Sequence, residues 1–176
     1  MLYNNPYNQK GVGLLEVMVA LMLLGIAVLG FVAMQLRANN VSIEADNNMH
    51  AVELARDMHE RMRINREGIT EFNNAYTGLA TGGTFENCRL PAGCSPANLA
   101  KFDFEQVRQN AERLGMSIAI RQCPTDNTSE QRHCIYVAWG NTTATIGDNP
   151  TDCTNDRAKY QPNAQCIFME SFSYAP

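Results

Sequence analysis

The chain is short of positive charge. Its 14 lysines and arginines face 18 acidic residues, a net charge of -4, whereas a nucleic-acid binder needs a basic face to meet phosphate. It has no CxxC pair, which removes the usual spacing for structural zinc or thioredoxin-like chemistry. The H-E-x-x-H, G-x-S-x-G and Walker-type patterns are missing as well, and with them the common signatures of metalloproteases, serine hydrolases and nucleotide-binding enzymes. His50 and His59 stand nine residues apart and His133 adjoins Cys134; all three read as exposed or packing residues rather than ligands or bases. No catalytic residue, metal or cofactor is expected.

Charge is also absent between Val17 and Leu36. A helix over that run covers about 30 Å, the thickness of a hydrocarbon core. No A-x-A site follows before Arg37, unlike a cleaved secretory signal. Lys10 precedes the run, and the residues before it include no acid, so the positive-inside tendency puts the N-terminal end in the cytoplasm.

No cysteine occurs before residue 88. The six that follow, Cys88, Cys94, Cys123, Cys134, Cys153 and Cys166, are even in number and widely spaced, as for disulfides formed in an oxidising compartment. Many connectivities are open to six cysteines. Closeness along the chain favours Cys88 with Cys94, Cys123 with Cys134, and Cys153 with Cys166. Each such bridge contributes about 2 to 3 kcal/mol in the loop-entropy account, help that a small loop-rich domain needs.

One carboxylate, Glu16, sits at the edge of the apolar run. A charge at the bilayer centre costs about 2.5 to 3.5 kcal/mol on insertion scales, and less near the interface. The stretch Lys10-Gly11-Val12-Gly13-Leu14-Leu15-Glu16-Val17 resembles the class III leader junction of type IV prepilins: a basic residue, a glycine, a hydrophobic first mature residue and a glutamate at the fifth mature position. This resemblance implies cleavage between Gly11 and Val12 by prepilin peptidase on the cytoplasmic side, then methylation of the new amino group of Val12. Valine stands where phenylalanine or methionine is more usual. Glu16 then reads as an assembly residue whose carboxylate neutralises a Val12 amine within one subunit or between neighbours. In a filament interior without water, such pairing makes the buried charge tolerable and fixes axial register.

Beyond Arg37, Ala51, Leu54, Ala55, Met58 and Met62 draw an apolar stripe at helical spacing, assigned to the contact between stalk and head. Arg56, Arg61, Arg63 and Arg66 interleave with Glu53, Asp57, Glu60 and Glu67, as on a solvated face with i,i+4 pairs. Gly68 is the expected left-handed C-terminal cap of a stalk over about residues 13 to 66. Gly25, Gly30 and the asparagines from Asn39 to Asn48 are poor helix formers, so bending is easiest there.

After Gly68 comes a loop rich in glycine, threonine and asparagine. Ser95 and Pro96 suit the cap and first position of a second helix, whose face is read as Leu99, Phe102, Val107, Ala111 and Leu114 and whose end is Gly115. Three strands follow with period-two patterning: Ile118 with Ile120, Ile135 with Val137 and Trp139, and Phe168 with Phe172 and Tyr174. The second is read as running on through Thr145. With no helix between them the strands favour an antiparallel meander. The stretch between the second and third is read as a polar loop, and its Asp148, Asp152 and Asp156 as solvated rather than as calcium ligands, since the spacing is not that of an EF-hand.

The whole order is similar to that of the type IV pilins and, more narrowly, of minor pilins of the PilV type. Glu16 to Leu21, the stalk stretches Glu53-Leu54-Ala55-Arg56-Asp57 and Arg61-Met62-Arg63, the Cys88 and Cys94 loop, and the passage to Val137-Ala138-Trp139 carry the resemblance. It implies an α+β pilin fold. The expected parts are a leader over 1–11, a transmembrane and assembly helix over 12–36, the periplasmic half of the stalk over 37–67, and a globular head over 68–176. The head divides into an αβ-loop over 68–115 and a sheet with a C-terminal cystine loop over 116–176.

The implied function is that of a minor pilin in the inner-membrane priming or tip complex that initiates pilus assembly, supporting twitching motility and adhesion. Its implied partners are other minor pilins, the major pilin, prepilin peptidase, the inner-membrane assembly platform and a tip adhesin. The protein is then a single-pass inner-membrane protein with a periplasmic head before assembly, and part of the filament or its tip afterwards. The alternatives are a minor pseudopilin of type II secretion and, from another class, a membrane-anchored periplasmic enzyme or sensor.

Overall fold

The structure, a computed structural model, describes residues 13–69, 72, 88–89, 93–124 and 132–172. In chain order they form α1 (Leu14–Ile64), a 3-10 turn (Arg66–Gly68), α2 (Pro96–Arg113), β1 (Met116–Gln122), β2 (Arg132–Trp139), β3 (Thr143–Ile146), β4 (Asp152–Thr154) and β5 (Cys166–Phe172). Two compact units divide between Glu44 and Ala45. The expected leader and the cleavage position at Gly11 and Val12 lie outside the described residues.

α1 is helical through all of its 51 residues, including the stretch from Gly25 to Asn48 where bending was expected. The two glycines cost about 1 kcal/mol each relative to alanine, but the leucines, methionines and alanines around them are strong helix formers. The helix stops at Ile64, short of the expected end. Asn65 leaves the helical region at φ -104, ψ 66; its Nδ2 donates to the Pro96 carbonyl at 2.7 Å, and its Oδ1 accepts from the Gly68 amide at 3.2 Å. Gly68 is therefore not a left-handed cap. A Cβ there would lie 2.6 Å from the Pro96 carbonyl oxygen and 2.5 Å from Asn65 Nδ2, so this glycine allows the end of α1 and the start of α2 to approach closely.

α2 begins as its sequence suggests. Ser95 Oγ accepts from the Asn98 amide at 3.3 Å, Pro96 follows at the first position, and Gly115 at φ 71 lets the chain turn into β1. Its buried face differs from the expected one. Ala100, Phe104, Val107 and Ala111 are buried, while Leu99 and Phe102 are half-buried and Leu114 is exposed.

β2 lies between β1 and β5, antiparallel to both. The register sets Ile118 opposite Val137, and Ile135 opposite Met169. On one face of the sheet, Met116, Ile118, Ile120, Ile135, Val137 and Trp139 pack with the α1 stripe and the α2 face, and Ile167 and Met169 of β5 join them. The five buried residues of α1 are the five of the stripe, Ala51, Leu54, Ala55, Met58 and Met62.

Phe168 does not belong to that face. It stacks on Tyr136 with ring centroids 5.6 Å apart, in a second cluster on the other side of the sheet with Ala119, Ala138, Ala144 and four of the cysteines. Tyr174 lies outside the described residues.

That second cluster is covered by the segment read as a polar loop, and two expectations are corrected there. β2 ends at Trp139, where Gly140 at φ 62 turns the chain, rather than running on through Thr145. β3 then pairs in parallel with β4. A parallel pair normally needs a long crossover; here Asp152 closes a short one. Its carboxylate accepts from Thr145 Oγ1 at 2.6 Å and from the Asn149 amide at 2.9 Å. A Cβ on Gly147 would meet Asp152 Oδ2 at 2.4 Å, so the close approach requires glycine there.

Candidate functional site

The first unit offers one kind of surface. α1 opens with the Gly13 carbonyl accepting from the Glu16 amide at 2.9 Å and the Val17 amide at 3.3 Å. Glu16 therefore stands in the first turn, where the positive end of the helix favours a carboxylate. Every described residue from Gly13 to Ile43 is exposed, and the helix is long and apolar enough to cross a membrane. Apolar on all sides, such a helix finds its cover in lipid or in other helices. Among its described neighbours Glu16 is the only charged side chain before Arg37.

The head is built to hold α1 rather than to react. Arg61 lies off the apolar stripe and ties α1 to α2: its Nη1 donates to Asp103 Oδ1 at 2.6 Å and to Gln106 Oε1 at 3.2 Å, and its Nε to Asp57 Oδ1 at 2.9 Å. Burial opposes the guanidinium charge, but the bonds to Asp57 and Asp103 outweigh it and hold its pKa above the ordinary value. On α2, Arg108 donates to both carboxylate oxygens of Glu105, at 2.7 and 2.6 Å. That pairing, opposed by burial and aided by Gln109, keeps Glu105 below the usual carboxylate range.

An open groove of about 370 Å³ runs between α1 and the end of α2, lined by His50, Glu53, Leu54, Asp57, Asn110, Arg113 and Leu114. His50 lies 3.7 Å from Asp46 and 3.6 Å from Glu53. The groove brings together no nucleophile with a base. His59 is half-buried on α1. His133 is buried in β2, where burial lowers its pKa, and its Nδ1 has no hydrogen-bond partner among the described residues.

Asp148 and Asp156 are exposed, whereas Asp152 is buried. Its hydrogen bonds, first that from the Thr145 hydroxyl, lower its pKa. Those oxygens are engaged in closing the loop, so the three aspartates do not converge on a cation. Cys123, Cys134 and Glu170 do lie close together, but the two sulfurs are bonded to each other. The bridges are Cys88–Cys94, Cys123–Cys134 and Cys153–Cys166, with Cα separations of 5.3, 4.9 and 5.9 Å.

Two family matches adjoin along the chain. Residues 6–32 match the prokaryotic N-terminal methylation motif, and residues 33–105 match the family described as Type IV pilin Tt1218. Over these residues the chain is similar to type IV pilins. No curated protein and no solved structure matches it. A long N-terminal apolar helix, a small antiparallel sheet and disulfide-closed loops agree with the type IV pilin fold, and the domains of that family are structural subunits rather than enzymes.

Sequence reasoning found the helix and the α1 stripe but missed the contacts that lock α1 to α2. Arg61 was read as one of a solvated set, and its partner Asp103 is 42 residues away. Asn65 carried a signal, a cap-type residue just before the stop, that the emphasis on Gly68 hid.

Proposed function

We propose that the chain is a minor pilin of a type IV pilus, inserted in the inner membrane with its N-terminal end cytoplasmic and its head periplasmic. It enters the complex with other minor pilins that primes pilus assembly, and from there the filament or its tip, supporting twitching motility and adhesion. The observation that carries this reading is the single carboxylate, Glu16, at the start of the exposed apolar part of α1, which has no other charge before Arg37 and overlaps the methylation motif over 6–32. Cleavage between Gly11 and Val12 followed by methylation of Val12 supplies the amine that Glu16 needs. The major pilin, prepilin peptidase, the assembly platform and a tip adhesin are its partners in this reading. The six-cysteine head favours the pilus over the second reading, a pseudopilin of type II secretion.

Mass spectrometry of the protein from its host membrane tests the first step: the expected N-terminus is N-methylated Val12, and an intact residue 1 overturns the reading. Glu16→Gln tests the second. Removing one partner of a buried pair costs about 3 to 5 kcal/mol, so incorporation into sheared filaments should fall more than about a hundredfold while the head still folds. Surface piliation scored against exoprotein release in a deletion strain divides pilus from secretion system.

A further inference from the structure

The three bridges occupy unlike surroundings. Cys123 and Cys134 are 4% and 0% exposed, and Cys153 and Cys166 are 0% and 7%; all four belong to the second apolar cluster. Cys88 and Cys94 are each half-buried and belong to neither cluster. Exchange at a disulfide requires a thiolate to reach one sulfur in line with the other, so access ranks the bridges. We propose that Cys88–Cys94 is the exchangeable disulfide of the head, a substrate for a dithiol reductant or dithiol oxidoreductase, while the other two are structural.

The reaction has a direction. Cys94 immediately precedes Ser95, the cap of an 18-residue helix with no acidic residue in its first turn, and a thiolate near a helix N-terminus is stabilised. The better leaving group is therefore Cys94, and the attacked sulfur is that of Cys88. One thiolate of the dithiol bonds to Cys88 Sγ, the Cys88–Cys94 bond breaks, and Cys94 departs with the electron pair. The second thiol then attacks the reductant's own sulfur in the mixed disulfide and releases Cys88 as thiolate. Two electrons pass to the cystine, the dithiol becomes a cyclic disulfide, and its two protons end on Cys88 and Cys94.

The fold does not depend on this bridge. The start of α2 stays held by the Ser95 cap and by the Asn65 bond to the Pro96 carbonyl at 2.7 Å, and both apolar clusters are untouched. Reduction changes only how the chain entering α2 is tied, next to Arg89, whose guanidinium lies 6.0 Å from the centroid of the Phe102 ring.

The test uses the full chain in detergent, treated with graded dithiothreitol under native conditions, then quenched, alkylated and mapped by peptide mass spectrometry. Cys88 and Cys94 should be labelled at least about tenfold faster than the other four cysteines, with the near-ultraviolet dichroism of the head retained. Labelling of either other pair at an equal or higher rate overturns the proposal, as does loss of the dichroism together with the first reduction. The Cys88→Ser, Cys94→Ser double variant gives an independent check: it should unfold as cooperatively as the parent, and an unfolded head refutes the assignment. With glutathione as the probe the adduct is expected on Cys88, and an adduct on Cys94 overturns the direction.

Discussion

In the first compact unit Leu14, Leu15, Leu29 and Met34 are 77%, 76%, 72% and 76% exposed, whereas in the second Met58, Phe104, Tyr136 and Val137 are at most 1% exposed. The residue types are alike, so hydrophobicity alone does not explain the contrast. From Ala51 onwards the apolar positions of α1 recur with the helical period and leave polar residues on the remaining faces, so one stripe meets one sheet. Before Arg37 they fill every face, and a helix apolar all round needs cover on every side. Within one continuous helix, the pattern of apolar residues decides whether a segment is satisfied by its own chain or needs a partner.

Paired truncations sharpen that contrast most. Phe104→Ala removes a ring from the head core and should cost about 3 to 5 kcal/mol, read as a lowered denaturation midpoint of the full chain in detergent. Phe31→Ala, at a 62% exposed position, should leave the head's midpoint within about 0.5 kcal/mol. Equal effects would break the comparison.

Next in size is the link between the helices. Arg61→Ala leaves Asp103, whose side chain is 14% exposed, without its charged donor. Hydrogen bonds to charged groups are worth about 1.5 to 3 kcal/mol, and a loss in that range is expected by chemical denaturation; a value near zero would make Arg61 the solvated residue its sequence context suggested. Ser95→Ala should cost about 1 kcal/mol as a lost cap, measured the same way.

The smallest effect is that of pH. Burial lowers the pKa of His133 from its ordinary 6.5, so the unfolded chain binds its proton more readily. The stability this confers is fully present above pH 6.5 and is lost as pH falls through the lowered value. Glu105 and Asp152, lowered from 4.5 and 3.8, add losses of the same sign at lower pH. The melting temperature of the head should therefore decline from about pH 7 to about pH 5, and His133→Gln should flatten that decline.

Legibility in the sequence followed the range of the interactions. The α1 stripe and the Ser95–Pro96 start of α2 were readable because their causes lie within a few residues. The α2 face was not. Phe102 and Phe104 are two residues apart, about 200° around a helix, so only one can point inward, and the sheet beneath selects Phe104. The end of β2 and the existence of β4 were also hidden. A three-residue strand carries no periodicity, and Asp152, which closes the pairing, looks like any loop aspartate until Thr145 and Gly147 are seen against it. Glu16 stood out in the sequence by its isolation and by the glycine junction before it, whereas the Arg61–Asp103 pair, formed across 42 residues, left no local trace.

The lock between α1 and α2 has a mechanical consequence. The part of α1 within the head is joined to it at several points: the five side chains of the stripe in the apolar core, the Arg61 bonds to Asp103 and Gln106, and the Asn65 bond to Pro96. Contacts loaded side by side share a force, whereas contacts peeled in turn bear it one at a time. The end of α1 is thus held to the head at many points, and parting the two means breaking several contacts rather than one.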